Sequence, residues 1–163
     1  MLAGGDYAFP PKKAPLMTPH AQNPAHARDR ALKLEALGRV PREVYDLLAA
    51  SETPLKAYEL LWRLQERRGR RAPPSTIYRA VSVLIDQGLV HKIESRNAFV
   101  VCTAPDHPHD PIFLVCEQCQ SALETDGNAI MESVKARLKD ARFHPRHLNF
   151  IVSGICRNCE QPR

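Results

Sequence analysis

Two Cys-x-x-Cys pairs, Cys116–Cys119 and Cys156–Cys159, bracket most of the C-terminal third of the chain and constrain its fold more than any other feature. Each pair can wrap one edge of a tetrahedron, because two intervening residues let the backbone turn around a metal ion. Together they supply four soft, anionic thiolates. Such a set leaves no open coordination position and marks structural rather than catalytic zinc. Metal held there closes a long loop, which offsets part of the chain entropy lost on folding. Two other readings stand beside it: ordinary buried cysteines, and a thioredoxin-like redox pair. The gap between the pairs exceeds that of a compact zinc ribbon.

The chain has 163 residues, room for one domain or two small ones. A net charge of +5 is compatible with a nucleic-acid partner without diagnosing one. No apolar run approaches the roughly 18 residues of a membrane helix, and the N-terminus has no compact apolar core of a secretory signal. The expectation is a soluble, cytoplasmic protein, where cysteines at metal spacing act as ligands rather than disulfides.

Residues 1–23, with four prolines, read as a disordered tail. Helical spacing of apolar residues then predicts helices over 24–37 and 41–50. A further helix carries Leu55, Leu60, Leu61 and Leu64 and ends near Gly69. Another opens at Pro73-Pro74-Ser75-Thr76, where a hydroxyl is available to cap, and buries Ile77, Ala80, Val81, Leu84 and Ile85 before Gly88. From Leu89 the period changes to two, predicting a hairpin of 89–94 and 97–102 around Ser95-Arg96. Three helices and a hairpin in that order make a winged helix-turn-helix, so 24–102 read as a DNA-binding domain.

A Pro/His/Asp-rich hinge at 103–111 follows. Residues 112–163 carry strand candidates at 112–115 and 122–125, then an amphipathic helix over 126–141 with Ile130, Val134 and Leu138 inward. An alternating strand at 147–155 completes them. About 50 residues are too few to bury a good core alone, so this half needs metal, a partner subunit, or both. The fold class is α+β: a winged-helix domain followed by a small α/β dimerisation domain with structural zinc.

The fifth cysteine suggests a second constellation. With a two-residue turn, His91 pairs opposite Val100, and Cys102 lies diagonally on the same face. His109 sits in the hinge just beyond, and Glu124 lies on a strand of the second half. Two imidazoles, a thiolate and a carboxylate make a closed zinc site of zero net charge, which lowers the penalty of burying it. Ligands from both halves would couple occupancy to the angle between the halves, as a sensor requires. The plainer reading is a core cysteine at a strand end and solvated hinge histidines.

The polar face of the 75–86 helix carries Ser75, Thr76, Arg79 and Ser82. Hydroxyls suit phosphate contacts, and Arg79 can fork onto guanine O6 and N7. Tyr58 on the preceding helix offers an aromatic donor. Arg63, Arg67, Arg68, Arg70 and Arg71, opposed locally only by Glu66, form a basic cluster suited to phosphates. The plainer reading is a solvated helical face.

The phrase Ala72-Pro-Pro-Ser-Thr-Ile-Tyr-Arg79, followed by Gln87-Gly-Leu-Val-His-Lys-Ile-Glu-Ser95 and the two Cys-x-x-Cys pairs, resembles the ferric uptake regulator superfamily, nearest its zinc-uptake branch. The resemblance covers about residues 25–160. It implies a homodimeric, metal-dependent repressor of zinc uptake genes acting on a palindromic operator in double-stranded DNA. Zinc is implied at two ions per subunit. It implies a structural site at Cys116, Cys119, Cys156 and Cys159, and a regulatory site at His91, Cys102, His109 and Glu124. Cys102 favours zinc over iron or manganese. Tyr58 and Arg79 are implied DNA contacts, beside Ser75, Thr76, Arg70 and Arg71 read from the helix faces. Two positions depart from the family pattern. Arg39-Val40-Pro41-Arg42 replaces the usual Thr-Pro-x-Arg phrase, and Ser153 stands where many members carry a histidine of a third metal site. His107, His144 and His147 remain possible members of an accessory site. No nucleophile–base pair stands out, so an enzyme is not expected. The alternatives are another metal or peroxide sensor of the superfamily, and a thiol redox or metal-transfer protein.

Overall fold

The computed structural model describes residues 24–105, 111–145 and 148–160, with side chains from residue 27 onward. The expected tail, most of the expected hinge, and His107, His109 and His147 lie outside the described residues. The order is α1 (Pro24–Glu35), α2 (Arg39–Ala49), β1 (Leu55–Lys56), α3 (Ala57–Arg68), α4 (Ser75–Asp86), β2 (Val90–Ile93) and β3 (Ala98–Val101). There follow β4 (Pro111–Cys116), β5 (Ala122–Asp126), α5 (Asn128–Asp140) and β6 (Phe150–Gly154).

In the first half, Val44, Tyr45 and Leu48 of α2, Leu60 and Leu64 of α3, and Ile77, Ala80, Val81 and Leu84 of α4 meet in one buried cluster. Their spacing puts each set on one helical face. Gly69 ends α3 at φ 62°, a left-handed position where a side chain would be strained. Leu55 is not helical as expected. It pairs with Phe99 in β1, so the small sheet runs β1-β3-β2. The expected hydroxyl cap of α4 is absent; Pro73 and Pro74 carbonyls accept from the first amides of the helix instead. Ile85, expected inward, is 39% exposed, at the margin of the face that Ile77, Ala80, Val81 and Leu84 bury.

The hairpin has the expected register, with His91 opposite Val100. Its turn is longer than two residues. A 3-10 turn over Glu94–Arg96 leads into Asn97 at φ 47°, and the last pair is Ile93–Ala98. Asparagine tolerates that left-handed conformation better than most residues.

The second sheet runs β5-β4-β6, with β4 antiparallel to β5 and parallel to β6. Parallel strands need a crossover, and α5 supplies it. Met131, not Ile130, is the buried residue of α5. Val134 and Leu138 are half-buried, and Ile130 is 51% exposed. The apolar stripe therefore keeps Val134 and Leu138 and takes Met131 in place of Ile130. β6 is shorter than expected and shows no alternation in burial, since Val152, Ser153 and Gly154 are all exposed on this edge strand. A second cluster joins Ile93 and Val100 of the hairpin to Phe113, Val115 and Ala122 of the second sheet. The core therefore continues from one sheet to the other, and the hairpin cannot move independently without exposing it.

α2 and α3 are also tied by an ion pair. Arg68 Nε lies 2.6 Å from Glu43 Oε2, with the two side chains 9% and 17% exposed. Arg68 is therefore committed to the fold rather than to the expected phosphate-facing cluster. Hydrogen bonding from Arg68 holds the Glu43 carboxyl below its ordinary value; partial burial opposes this, and Arg39 adds to it. A carboxylate with a lowered folded pKa stabilises the protein above its unfolded value near 4.5, and that contribution fades as pH falls through the folded value. Glu43→Gln is expected to lower stability by about 1 kcal/mol at neutral pH. Thermal melts of variant and wild type should converge as pH falls through the folded value of Glu43; a gap that persists in strong acid would locate the effect elsewhere.

Candidate metal centres and DNA-reading face

The four cysteines of the two pairs converge. Their sulfurs lie within 4.8 Å of one another. Cys119 Sγ and Cys156 Sγ are 3.8 Å apart. A tetrahedron with metal–sulfur bonds of about 2.3 Å has edges of about 3.8 Å, so the spacing fits zinc. It is far beyond a disulfide bond of about 2.05 Å. Local geometry makes the site. The register of β4 with β6 brings Cys116 opposite Gly154, and both strands then turn into their knuckles. Cys116 Sγ accepts the amides of Cys119 at 3.5 Å and Cys156 at 3.4 Å. Ser121 Oγ lies 3.0 Å from Cys119 Sγ.

Those donors set the charge pattern. Burial raises the Cys116 thiol, but backbone amides of Cys119, Cys156 and Gln118 outweigh it and bring it down to about 6. Burial raises Cys159 to about 12, helped by the other three thiols. Four thiolates cannot coexist in so small a space without a cation, which a divalent metal supplies.

The second constellation draws on both sheets. His91 is on β2, Cys102 directly follows β3, and Glu124 is on β5; one ligand atom from each lies within 4.8 Å of the others. His91 Nε2 and Glu124 Oε1 are 3.6 Å apart. Cys102 is fully buried and Glu124 is 5% exposed. A buried carboxylate is costly unless something meets its charge. One oxygen accepts the Thr103 amide at 3.0 Å, and the other faces the imidazole. The His91 ring also packs against Phe113, with centroids 5.6 Å apart. Two borderline-soft donors and a carboxylate within this distance fit zinc, with a fourth ligand still to come. His109, expected there, is outside the described residues.

On α4, Ser75, Tyr78, Arg79 and Ser82 are exposed along one face, and Thr76 is half-buried. Tyr58 on α3 is 66% exposed. Arg67, Arg70 and Arg71 are exposed near the start of α4, whereas Arg63 is half-buried. Tyr78 is an addition to the expected set. Its position three residues after Ser75 is the signal that places it on the same face. His144 is exposed and belongs to no cluster of ligand side chains among the described residues.

Residues 39–153 match the family model described as the ferric uptake regulator family. The chain belongs to the ferric uptake regulator family. Within it, the chain is similar to the zinc uptake regulation protein of Escherichia coli K12, at 32% identity over 118 residues, 72% of this chain and 68% of that one. A zinc uptake regulator solved with zinc and DNA matches with a TM-score of 0.75 and 29% identity, over 83% of this chain and 92% of that one. The crystal structure of holo XcZur matches with a TM-score of 0.71 and 34% identity, over 82% of this chain and 97% of that one. The residues that match the family model include His91, Cys102 and Glu124 and the first Cys-x-x-Cys pair, while Cys156 and Cys159 lie just beyond them.

Proposed function

We propose that the protein is a zinc-responsive transcriptional repressor that controls zinc uptake genes, with zinc as co-repressor, and acts in the cytoplasm. One observation carries the reading: a buried His–Cys–Glu cluster takes its ligands from both sheets of a ferric uptake regulator fold. Zinc bound there would tie the two sheets together, with His109 as its fourth ligand. Zinc at Cys116, Cys119, Cys156 and Cys159 would be structural, giving two ions per subunit. The winged helix at 24–102 would read DNA, and the segment after a hinge at 103–111 would pair subunits.

Exposed Val152 and Ile155, with an outer edge of β6 that no strand pairs among the described residues, support pairing between copies of the chain. A two-fold dimer presents two α4 helices at a fixed spacing and reads a palindromic operator. With the regulatory ligands drawn to one point, β2, the exit of β3 and β5 cannot separate, and that spacing is held. Without zinc, only the apolar contact of Ile93 and Val100 with the second sheet and the polar contacts at the joint oppose its opening, and the two reading heads lose register.

A gel shift on the promoter of a zinc importer gene from the same genome tests this. Binding should appear with buffered free zinc, fail with iron(II) or manganese(II) at matched occupancy, and vanish with chelator. Binding that follows another metal would keep the fold and refute the zinc signal. Within that assay, Arg79→Ala is expected to weaken the operator complex by about 10- to 100-fold and to relax the base preference it reads. Arg70→Ala should weaken operator and random DNA alike and reduce the salt dependence by about one unit. Equal loss on both DNAs for Arg79→Ala would remove it from base reading.

A further inference from the structure

We infer that the N-terminal helix α1 is docked onto the DNA-binding half by the filled regulatory site, with Arg30 as the positioning residue. This rests on the regulatory-site reading proposed above.

The helix is poorly held by apolar contact. None of its described side chains is fully buried, Leu34 is half-buried against the first core, and Leu32 is 59% exposed. Its polar contacts converge on the segment that carries Cys102. The Arg30 guanidinium donates to the carbonyl of Thr103 at 3.2 Å and lies 3.5 Å from that of Cys102. Lys33 donates to the Pro105 carbonyl and also pairs with Asp29 at 3.0 Å. Residues 102–105 are all buried, so these carbonyls have no water to fall back on.

Thr103 is the node. Its carbonyl is held from α1 by Arg30, and its amide donates to Glu124 Oε2 at 3.0 Å. Glu124 and Cys102, on either side of that node, are two of the three described ligands of the regulatory cluster. Filling the site fixes Cys102 relative to Glu124 and so fixes both carbonyls where Arg30 meets them. When it empties, Cys102 and Glu124 no longer share an ion, the carbonyls of Cys102 and Thr103 are less firmly placed, and α1 loses its aligned acceptors. A helix with so little apolar anchorage then frays or detaches.

Amide hydrogen exchange on the full-length protein tests this, with zinc counted by native mass spectrometry. In the wild type, raising the load from one to two zinc ions per subunit should slow exchange across residues 27–35 by about tenfold or more. Arg30→Met should still take up the second ion but show less than about a twofold zinc effect on α1. Arg30→Lys should recover part of it. A second ion that binds with no change in α1 exchange overturns this inference and leaves the regulatory site standing. A full zinc effect retained in Arg30→Met overturns the role of Arg30. If no second ion binds, the regulatory-site reading fails and takes the inference with it. Should Arg30→Met not fold, the wild-type comparison decides alone.

Discussion

Cys102→Ser is expected to abolish zinc-dependent operator binding while leaving a folded dimer. Serine nearly matches cysteine in volume, and the site is a strand exit rather than the centre of a helix core, so packing changes little. The ligand changes completely. A neutral hydroxyl replaces a thiolate, and a zinc site short of one ligand loses most of its affinity. The four-cysteine centre lies beyond β4 and does not contain Cys102, so it should remain loaded. Operator affinity in zinc should fall by about 100-fold, to the level of chelated wild type, with unchanged elution on size exclusion. Normal operator binding by this variant in zinc would remove Cys102 from the sensor.

Cys119→Ser is expected to act on the fold. Cys119 is the least buried of the four cysteines, yet its sulfur lies 3.8 Å from Cys156 and 3.0 Å from Ser121. Structural zinc sites contribute about 10–16 kcal/mol of binding energy, which becomes folding energy when no site exists in the unfolded chain. Losing one ligand forfeits much of that. The knuckles also end β4 and β6, the strand that carries the exposed apolar edge. The variant should lose its tightly held zinc, melt more than about 10 °C below wild type and run as monomer or aggregate. A dimer of unchanged melting temperature and zinc content would mean that the four cysteines are not a structural site.

Much of this was legible in the residues because the signals were local. The register of the hairpin followed from centring its turn on Ser95-Arg96, and with it the placement of His91 and Cys102 on one side of the wing. The convergence of the two Cys-x-x-Cys pairs followed from ligand chemistry. What escaped depended on distant partners. Arg68 looked like one more phosphate-facing cation, but Glu43 lies 25 positions earlier in the chain and claims it. Leu55 fitted a helical spacing, but pairing with Phe99 drew it into a strand. On α5 the choice between Ile130 and Met131 turned on how the helix rolls over its sheet, which no period of apolar residues fixes to one position. The role of Arg30 was invisible for the same reason, since its carbonyl acceptors lie 72 and 73 residues away.

The most direct measurement is operator affinity of the wild-type dimer in two states, with both zinc sites filled and with only the structural site filled. Fluorescence anisotropy under buffered free zinc gives both dissociation constants in one buffer. The filled state should bind about 100-fold more tightly, a coupling near 3 kcal/mol, and operator DNA should tighten zinc binding by the same factor. Equal affinities in the two states would contradict the account, because a cluster that spans both sheets would then carry no signal to the DNA-reading helix.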